Sequence, residues 1–286
     1  LNNPQQTLME TLRKAEEYFA AKKIPSPRLE AQLLFAHFLK LRRIDLFTQP
    51  ERPLMATELE NLREAMRRKV KGEPTAYILG NRDFFGRTFT VSPAVLIPRP
   101  ETEELVEHVL SLKPYVRHVV DAGAGSGCIG ITLAAELGAA ELTLVDISAE
   151  ALQVAAANAG RLLKDIATQV HTLCANFCEA ELSLKSPAEL IVSNPPYVLP
   201  DEFAVLDHSV RDFEPRIALV AEEFEQLHRG LSAFALRHLT PGGIFALETH
   251  PQKSSEVAAW LREAGFVSVE IRNDLAARPH FVFAQK

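Results

Sequence analysis

Cysteine is scarce: Cys128, Cys174 and Cys178 are the only three in 286 residues, and no two share a Cys-x-x-Cys spacing. That excludes a disulfide framework and a zinc knuckle, and reads as thiols in a reducing compartment. Basic charge is not in excess. The chain has 31 Lys and Arg against 37 Asp and Glu, a net −6, so a broadly polyanion-binding surface is disfavoured. Long hydrophobic runs are missing too. The longest candidate, between Asp121 and Glu136, holds 14 residues and several glycines, short of the roughly 20 that span a bilayer. The opening Leu1–Thr7 has no basic-then-apolar leader pattern. The expectation is a soluble cytoplasmic protein with no membrane partner.

What is present is ordinary globular composition, 47% hydrophobic and 24% charged, at a length that suits two domains. Charge is uneven. Residues 1–72 carry a net +5 and the remainder a net −11, which suggests two bodies. In the first, Leu8, Leu12, Ala15 and Phe19 share one helical face, as do Leu29, Leu33, Leu34, Phe38 and Leu41. Ser26-Pro27 reads as the N-cap and first position of the second helix. Leu59, Leu62, Met66 and Val70 mark a third, stopped at Gly72. Arg63, Arg67, Arg68, Lys69 and Lys71 crowd its end, where they suit the negative helix terminus. This basic end is the one place where RNA or an acidic partner could dock. Residues 73–97 read as a β-hairpin linker, with Tyr77-Ile-Leu and Phe89-Thr-Val as its β-rich runs and glycine turns at Gly80 and Gly86.

Residues 98–286 alternate short apolar strands with amphipathic helices, beginning with a helix opened by Pro98-Arg-Pro. Strands are expected at His118–Asp121, Glu141–Ile147, Val170–Cys174, Leu190–Ser193 and Gly243–Thr249. Two more, Val267–Arg272 and His280–Ala284, lack an intervening helix and should pair antiparallel at one end. The pattern predicts an α/β fold with a doubly wound, mostly parallel sheet.

Three features carry chemistry. Asp121-Ala-Gly123-Ala124-Gly125-Ser126-Gly127 joins the first strand of this sheet to a helix, as a loop that lets a ligand approach the backbone. Asp146 ends the next strand, where a carboxylate can accept from ribose hydroxyls. With no P-loop lysine and no glycine at Cys128, the pair favours S-adenosylmethionine over NAD or ATP. Asn194-Pro195-Pro196-Tyr197 follows the strand at Leu190. Two prolines remove two backbone donors. The Asn194 oxygen and the Pro195 carbonyl remain as acceptors, which suits a planar NH2 group. Tyr197 offers a flat face beside it. No metal is expected. His108, His208 and His250 read as surface or structural.

The Asn-Pro-Pro-Tyr corner with Asp-x-Gly-x-Gly-Ser-Gly resembles amino-directed, S-adenosylmethionine-dependent methyltransferases. Gly72-Glu-Pro-Thr-Ala-Tyr-Ile-Leu-Gly80, Arg82-Asp-Phe-Phe-Gly86 and Leu96-Ile-Pro-Arg-Pro-Glu-Thr-Glu-Glu-Leu-Val106 narrow the resemblance to the HemK/PrmC family. That family methylates the glutamine of the Gly-Gly-Gln loop in peptide-chain release factors. The resemblance spans nearly the whole chain. It implies a class I methyltransferase fold, a substrate-docking role for residues 1–72, and S-adenosylmethionine held by Gly123 to Gly127, Asp146, Asn176, Phe177 and Asn194. It implies that Asn194 to Tyr197 bind the glutamine. The chain departs from the family at Asn176, where an aspartate is usual, at Val220 to Gln226, and at Thr249-His-Pro. An adenine-N6 nucleic-acid methyltransferase and a non-catalytic cofactor-binding adaptor are the alternatives. Asp201, Glu202, Asp207, Asp212 and Glu214 follow the corner and would repel phosphates.

Overall fold

The computed structural model describes residues 6–112, 114–179 and 182–286. Most of the opening stretch, residues 1–5, lies outside them. The chain divides into two compact units, the first reaching Gly80 and including His208–Phe213, the second taking Asn81–Asp207 and Glu214–Lys286.

The first unit is helical: α1 (Leu8–Ala21), α2 (Pro27–Leu39), α3 (Asp45–Thr48), α4 (Ala56–Val70), α5 (Thr75–Leu79) and, from later in the chain, α9 (His208–Arg211). Leu8, Leu12, Phe19, Leu34, Phe35 and Leu62 are fully buried in its core, as helical spacing requires. Two local expectations fail. Ser26 stands at the N-cap of α2, but its φ of +50° turns the side chain away from any capping bond, and Pro27 alone starts the helix. Tyr77-Ile-Leu is helix, not strand. The Tyr77 and Ile78 N–H groups both donate to Pro74 O, and Gly80 ends the turn at φ +71°. A five-residue apolar run has no period to separate the two.

The second unit opens with a hairpin of β1 (Asn81–Phe84) and β2 (Arg87–Thr90). Phe85 and Gly86 both take positive φ, the geometry of a tight two-residue hairpin loop. There follow α6 (Pro100–Ser111), β3 (His118–Ala122), α7 (Cys128–Leu137), β4 (Glu141–Asp146), α8 (Ala149–Leu162), β5 (Gln169–Cys174) and β6 (Ala188–Ser193). A 3-10 turn (Phe203–Val205), α10 (Arg216–Leu219), α11 (Phe224–His238), β7 (Leu239–Glu248), α12 (Ser254–Ala264), β8 (Val267–Asn273) and β9 (Pro279–Gln285) complete it. The seven-stranded sheet runs β5-β4-β3-β6-β7-β9-β8. Its first five strands are parallel, and β9 pairs antiparallel with both β7 and β8. The antiparallel pair at one end is as expected, with β9 returning inside β8. Separate apolar cores fill the two faces of the sheet. Among the described residues no helix is long and apolar enough to cross a membrane.

One contact fixes how α7 meets the sheet. Asp121 on β3 is fully buried, and its Oδ2 accepts the Gly130 N–H at 2.8 Å. A Cβ at Gly130 would lie 2.7 Å from Asp121 Cβ. Alanine in a helix interior normally outperforms glycine by about 1 kcal/mol. Here Gly130→Ala should destabilise by about 1–3 kcal/mol, because the strand cannot retreat. Urea unfolding reads the sign. Burial pushes the Asp121 carboxyl up to about 7, with repulsion from Asp146 adding to it. The folded protein therefore keeps a proton that the unfolded chain has already released. That contribution is complete below the ordinary carboxylate value and is lost as pH rises through about 7. Asp121→Asn should gain stability relative to the unsubstituted protein between about pH 4 and about pH 8. Melting curves at the two ends check the trend, and a pH-independent difference would contradict it.

Candidate active site

β3 and β6 are parallel neighbours, with Asp121 opposite Val192. Their carboxyl ends therefore open onto the same edge, where open α/β sheets hold ligands. Ser193 Oγ donates to Ala122 O at 2.5 Å, tying the two chain reversals together. After β3, the Gly123 and Ala124 N–H groups both donate to Val145 O, at 2.8 and 3.0 Å. Gly123 and Gly125 take φ of +78° and +54°, and a Cβ at either would meet nothing within 4 Å. Glycine is needed for the turn, and both positions border open space. The Gly125 N–H donates to Asp146 Oδ2 at 2.8 Å and the Ser148 N–H to Oδ1 at 2.9 Å. Asp146 is thus oriented by backbone donors, and each oxygen keeps acceptor capacity.

The space is a cavity of about 430 Å³ within the second unit. Of the residues expected at the site, Gly123, Ala124, Gly125, Ser126, Asp146, Asn176, Phe177, Asn194 and Pro196 line it. Gly127, Pro195 and Tyr197 do not. A Cβ at Gly127 would strike Ile131 Cδ1 at 2.7 Å and Ala155 Cβ at 3.3 Å, so this glycine serves the packing of α7 on α8. Pro195 is buried. Tyr197 directs its hydroxyl to Glu248 Oε1 at 3.3 Å and meets the His280 ring edge-on. Asn176 Oδ1 accepts the Cys178 N–H at 3.0 Å, so the oxygen expected to face a base already serves its own turn.

Other residues of the wall escaped the sequence. Val220, Ala221, Glu222, Glu223 and Gln226 line it, in the segment that departs from the family's pattern. A parallel bridge brings them in: the Val198 N–H donates to Leu219 O and the Ala221 N–H to Val198 O, both at 2.9 Å. Arg99 also lines the cavity and pairs with buried Glu214 at 2.5 Å, while the Ile97 N–H donates to the other Glu214 oxygen at 3.0 Å. Behind Asn194 lies a buried network. Asn194 Nδ2 donates to Thr102 Oγ1 at 3.1 Å, and Thr102 Oγ1 donates to Glu248 Oε2 at 2.8 Å. Burial pushes the Glu248 carboxyl up to about 7. The Tyr197 phenol is likewise raised by burial, with Glu248 next to it. Thr102 carried no sequence signal beyond its place in the Leu96 to Val106 motif, and Glu248 none beyond its strand.

The three histidines read as structural lie outside the wall. His108 meets Phe281 and Phe283 edge-on, His208 pairs with Asp212, and His250 Nε2 lies 3.2 Å from Glu202. The cavity's charge has a clear sense. Among the described residues of its wall, Arg99 is neutralised by Glu214 and Glu222 by Arg216, which leaves Asp146 and Glu223 as the carboxylates. Such a wall does not suit a polyphosphate. It fits a nucleoside cofactor that bears positive charge, with Ile147 and Phe177 as apolar surface.

Two family models match the chain: PrmC N-terminal domain over residues 10–80 and Methyltransferase small domain over residues 100–210. A release factor glutamine methyltransferase of Koribacter versatilis is 42% identical over 286 residues, covering 98% of this chain and 99% of the relative. One of Chlorobaculum tepidum is 39% identical over 278 residues, covering 94% and 93%. Among solved structures, a Thermus thermophilus 16S rRNA N2 G1207 methyltransferase aligns with TM-score 0.50 and 24% identity, over 72% of this chain and 49% of that one. A methyltransferase from Pyrococcus furiosus aligns with TM-score 0.50 and 16% identity, over 78% and 98%. These two share the fold. Near-complete coverage by relatives of this identity, on a class I methyltransferase sheet, shows that the chain belongs to the release factor glutamine methyltransferase family.

Proposed function

We propose that this protein transfers a methyl group from S-adenosylmethionine to the side-chain amide nitrogen of the glutamine in the Gly-Gly-Gln loop of peptide-chain release factors, in the cytoplasm. The observation that carries the reading is the acceptor-rich corner after β6. Asn194 spends its NH2 on Thr102, which leaves its oxygen as the end available to a donor. An amide NH2 has two donors to give. A carboxylate would set acceptors against acceptors and be refused.

S-adenosylmethionine, when bound, supplies a methyl group activated by the positive charge on its sulfur. Gly123, Gly125 and Asp146 would hold it, with Asn176 and Phe177 beside the base and the Glu223 carboxylate favouring its charge. Asn194 Oδ1 and the Pro195 carbonyl would accept the two N–H bonds of the glutamine amide and aim its nitrogen. An amide nitrogen is a poor nucleophile, so orientation is where the protein contributes most, up to roughly 7–11 kcal/mol in favourable intramolecular cases. Accepting both protons also raises electron density on the nitrogen. Methylation turns the amide into a strong acid, so no strong base is required beforehand.

Residues 1–72 serve in this reading as the docking domain, 73–97 as the linker and 98–286 as the methyltransferase domain. A nucleic-acid substrate is not favoured. Of the five basic residues near the end of α4, Arg67 pairs with Glu64, Arg68 with Glu73 and Lys69 with Glu30, so most of their charge is already answered.

A purified, unmethylated release factor incubated with this protein and S-adenosylmethionine should gain one methyl on the glutamine of its Gly-Gly-Gln loop, read by peptide mass spectrometry. Asn194→Ala should lower turnover about a hundredfold or more with cofactor affinity little changed. Turnover within a few-fold of the unsubstituted enzyme would remove the corner from the mechanism. Asp146→Ala should weaken cofactor binding about tenfold or more, measured calorimetrically. An unchanged dissociation constant would overturn the ribose assignment.

A further inference from the structure

Glu248 ends β7 directly behind the corner and is fully buried. Both of its oxygens receive hydroxyl groups: Oε2 from Thr102 of α6 at 2.8 Å and Oε1 from Tyr197 at 3.3 Å. No lysine or arginine ion pair reaches it among the described residues. The nearest basic group is His280 Nε2 of β9, at 3.8 Å, and His280 in turn faces Asp274 at 3.5 Å. Glu101 of α6 adds repulsion. A buried carboxylate held by two hydroxyls and by the Asn194 amide, with no close cation, is costly to fold around. A wholly apolar residue would fill the same space more cheaply, unless the charge sets something.

It sets a direction. A threonine hydroxyl has one proton to give. With Glu248 as the acceptor, the Thr102 proton points toward the carboxylate. Only lone pairs then remain for Asn194, and they can receive only its NH2, as the 3.1 Å contact from Nδ2 shows. The two ends of an asparagine amide are nearly equal in size and opposite in hydrogen-bond sense. Packing alone therefore cannot choose between them, whereas the polarity of this chain can.

We propose that Glu248, acting through Thr102, sets the acceptor polarity of the substrate corner. It does so by taking the Thr102 proton, which turns the Asn194 NH2 inward and leaves Oδ1 for the incoming amide. The inference rests on the reading that Asn194 binds the target amide, and makes Glu248 and Thr102 positioning residues. Replacing the carboxylate by an amide lets the network run the other way: an NH2 at position 248 donates to Thr102, Thr102 donates to Asn194 Oδ1, and the Asn194 NH2 faces the substrate. The corner then repels glutamine's NH2 and tolerates a carboxylate.

The test uses the full-length protein and two release-factor substrates, one with the natural Gly-Gly-Gln loop and one with glutamate in place of the glutamine. Glu248→Gln should lower kcat/KM for the natural substrate about tenfold or more, with S-adenosylmethionine affinity unchanged. Its preference for binding the glutamine loop over the glutamate loop should shrink by a similar factor. Thr102→Val, which keeps the shape and removes the hydroxyl, should reproduce the loss. Thr102→Ser, which restores the hydroxyl, should recover most of it. The Thr102 pair decides the matter if Glu248→Gln does not fold. A Glu248→Gln enzyme with native activity and preference would overturn the proposal. So would Thr102→Val and Thr102→Ser that behave alike, or losses that spare the glutamine-to-glutamate preference, since a merely structural role predicts those. Asn194→Ala in the same assay separates the two levels. If it stays active, the corner reading itself fails. If it is inactive while Glu248→Gln is native-like, only the polarity proposal fails.

Discussion

The site depends on the parallel pairing of β3 with β6. Parallel strands in one sheet send their carboxyl ends the same way, so the chain must reverse twice along one edge. Here the reversals are the glycine loop from Gly123 and the Asn194-Pro195-Pro196 corner. The Ser193 hydroxyl on the Ala122 carbonyl holds them at one level. In the proposed reading, a cofactor held by the first reversal is presented to a substrate held by the second without either loop needing rigidity of its own. The positive-φ turn at Gly123 and Gly125 and the donor-poor Pro-Pro step both follow the most buried strands of the sheet.

Around that edge the protein buries charge in a way that a stability-only design would avoid. Asp121 and Glu248 are fully enclosed, and burial raises both carboxyls to about 7. Each is answered by a group whose position matters to the site. Asp121 holds the start of α7 through Gly130, and Glu248 holds the hydroxyls of Thr102 and Tyr197. His228 is buried as well, its imidazole pushed down to about 4, with Nδ1 on Phe224 O and Nε2 on Thr249. It anchors the segment after Glu248 to α11. Buried polar groups of this kind give geometric uniqueness only when every partner is in place. That makes the network behind the corner sensitive to single substitutions that leave the apolar core untouched.

Much of this was legible in the residues. The alternation from His118 onward implied the parallel sheet, and the helix-free step to His280 implied its antiparallel end. The glycine loop, Asp146, Asn194 and Pro196 do meet at one cavity. The misreadings share a cause. Gly127 matched a ligand-loop pattern but is a packing glycine, because sequence shows that a side chain is absent and not what would have struck it. Tyr77-Ile-Leu was too short to declare a period. The Val220 to Gln226 segment gave no local sign of reaching the cavity, because its approach depends on the bridge to Val198, more than twenty residues away.

The sequence by itself determined the fold class, the family and the residue types at the two reversals, since periodicity and turn chemistry are local and survive in one dimension. Tertiary structure decided which way those residues face. Asn194 is an acceptor toward the cavity only because Thr102 and Glu248, from a helix and a strand distant in the chain, take up its other end. A hydrogen bond has a direction as well as partners. That direction is set by the full set of groups enclosed together, which only folding brings within reach.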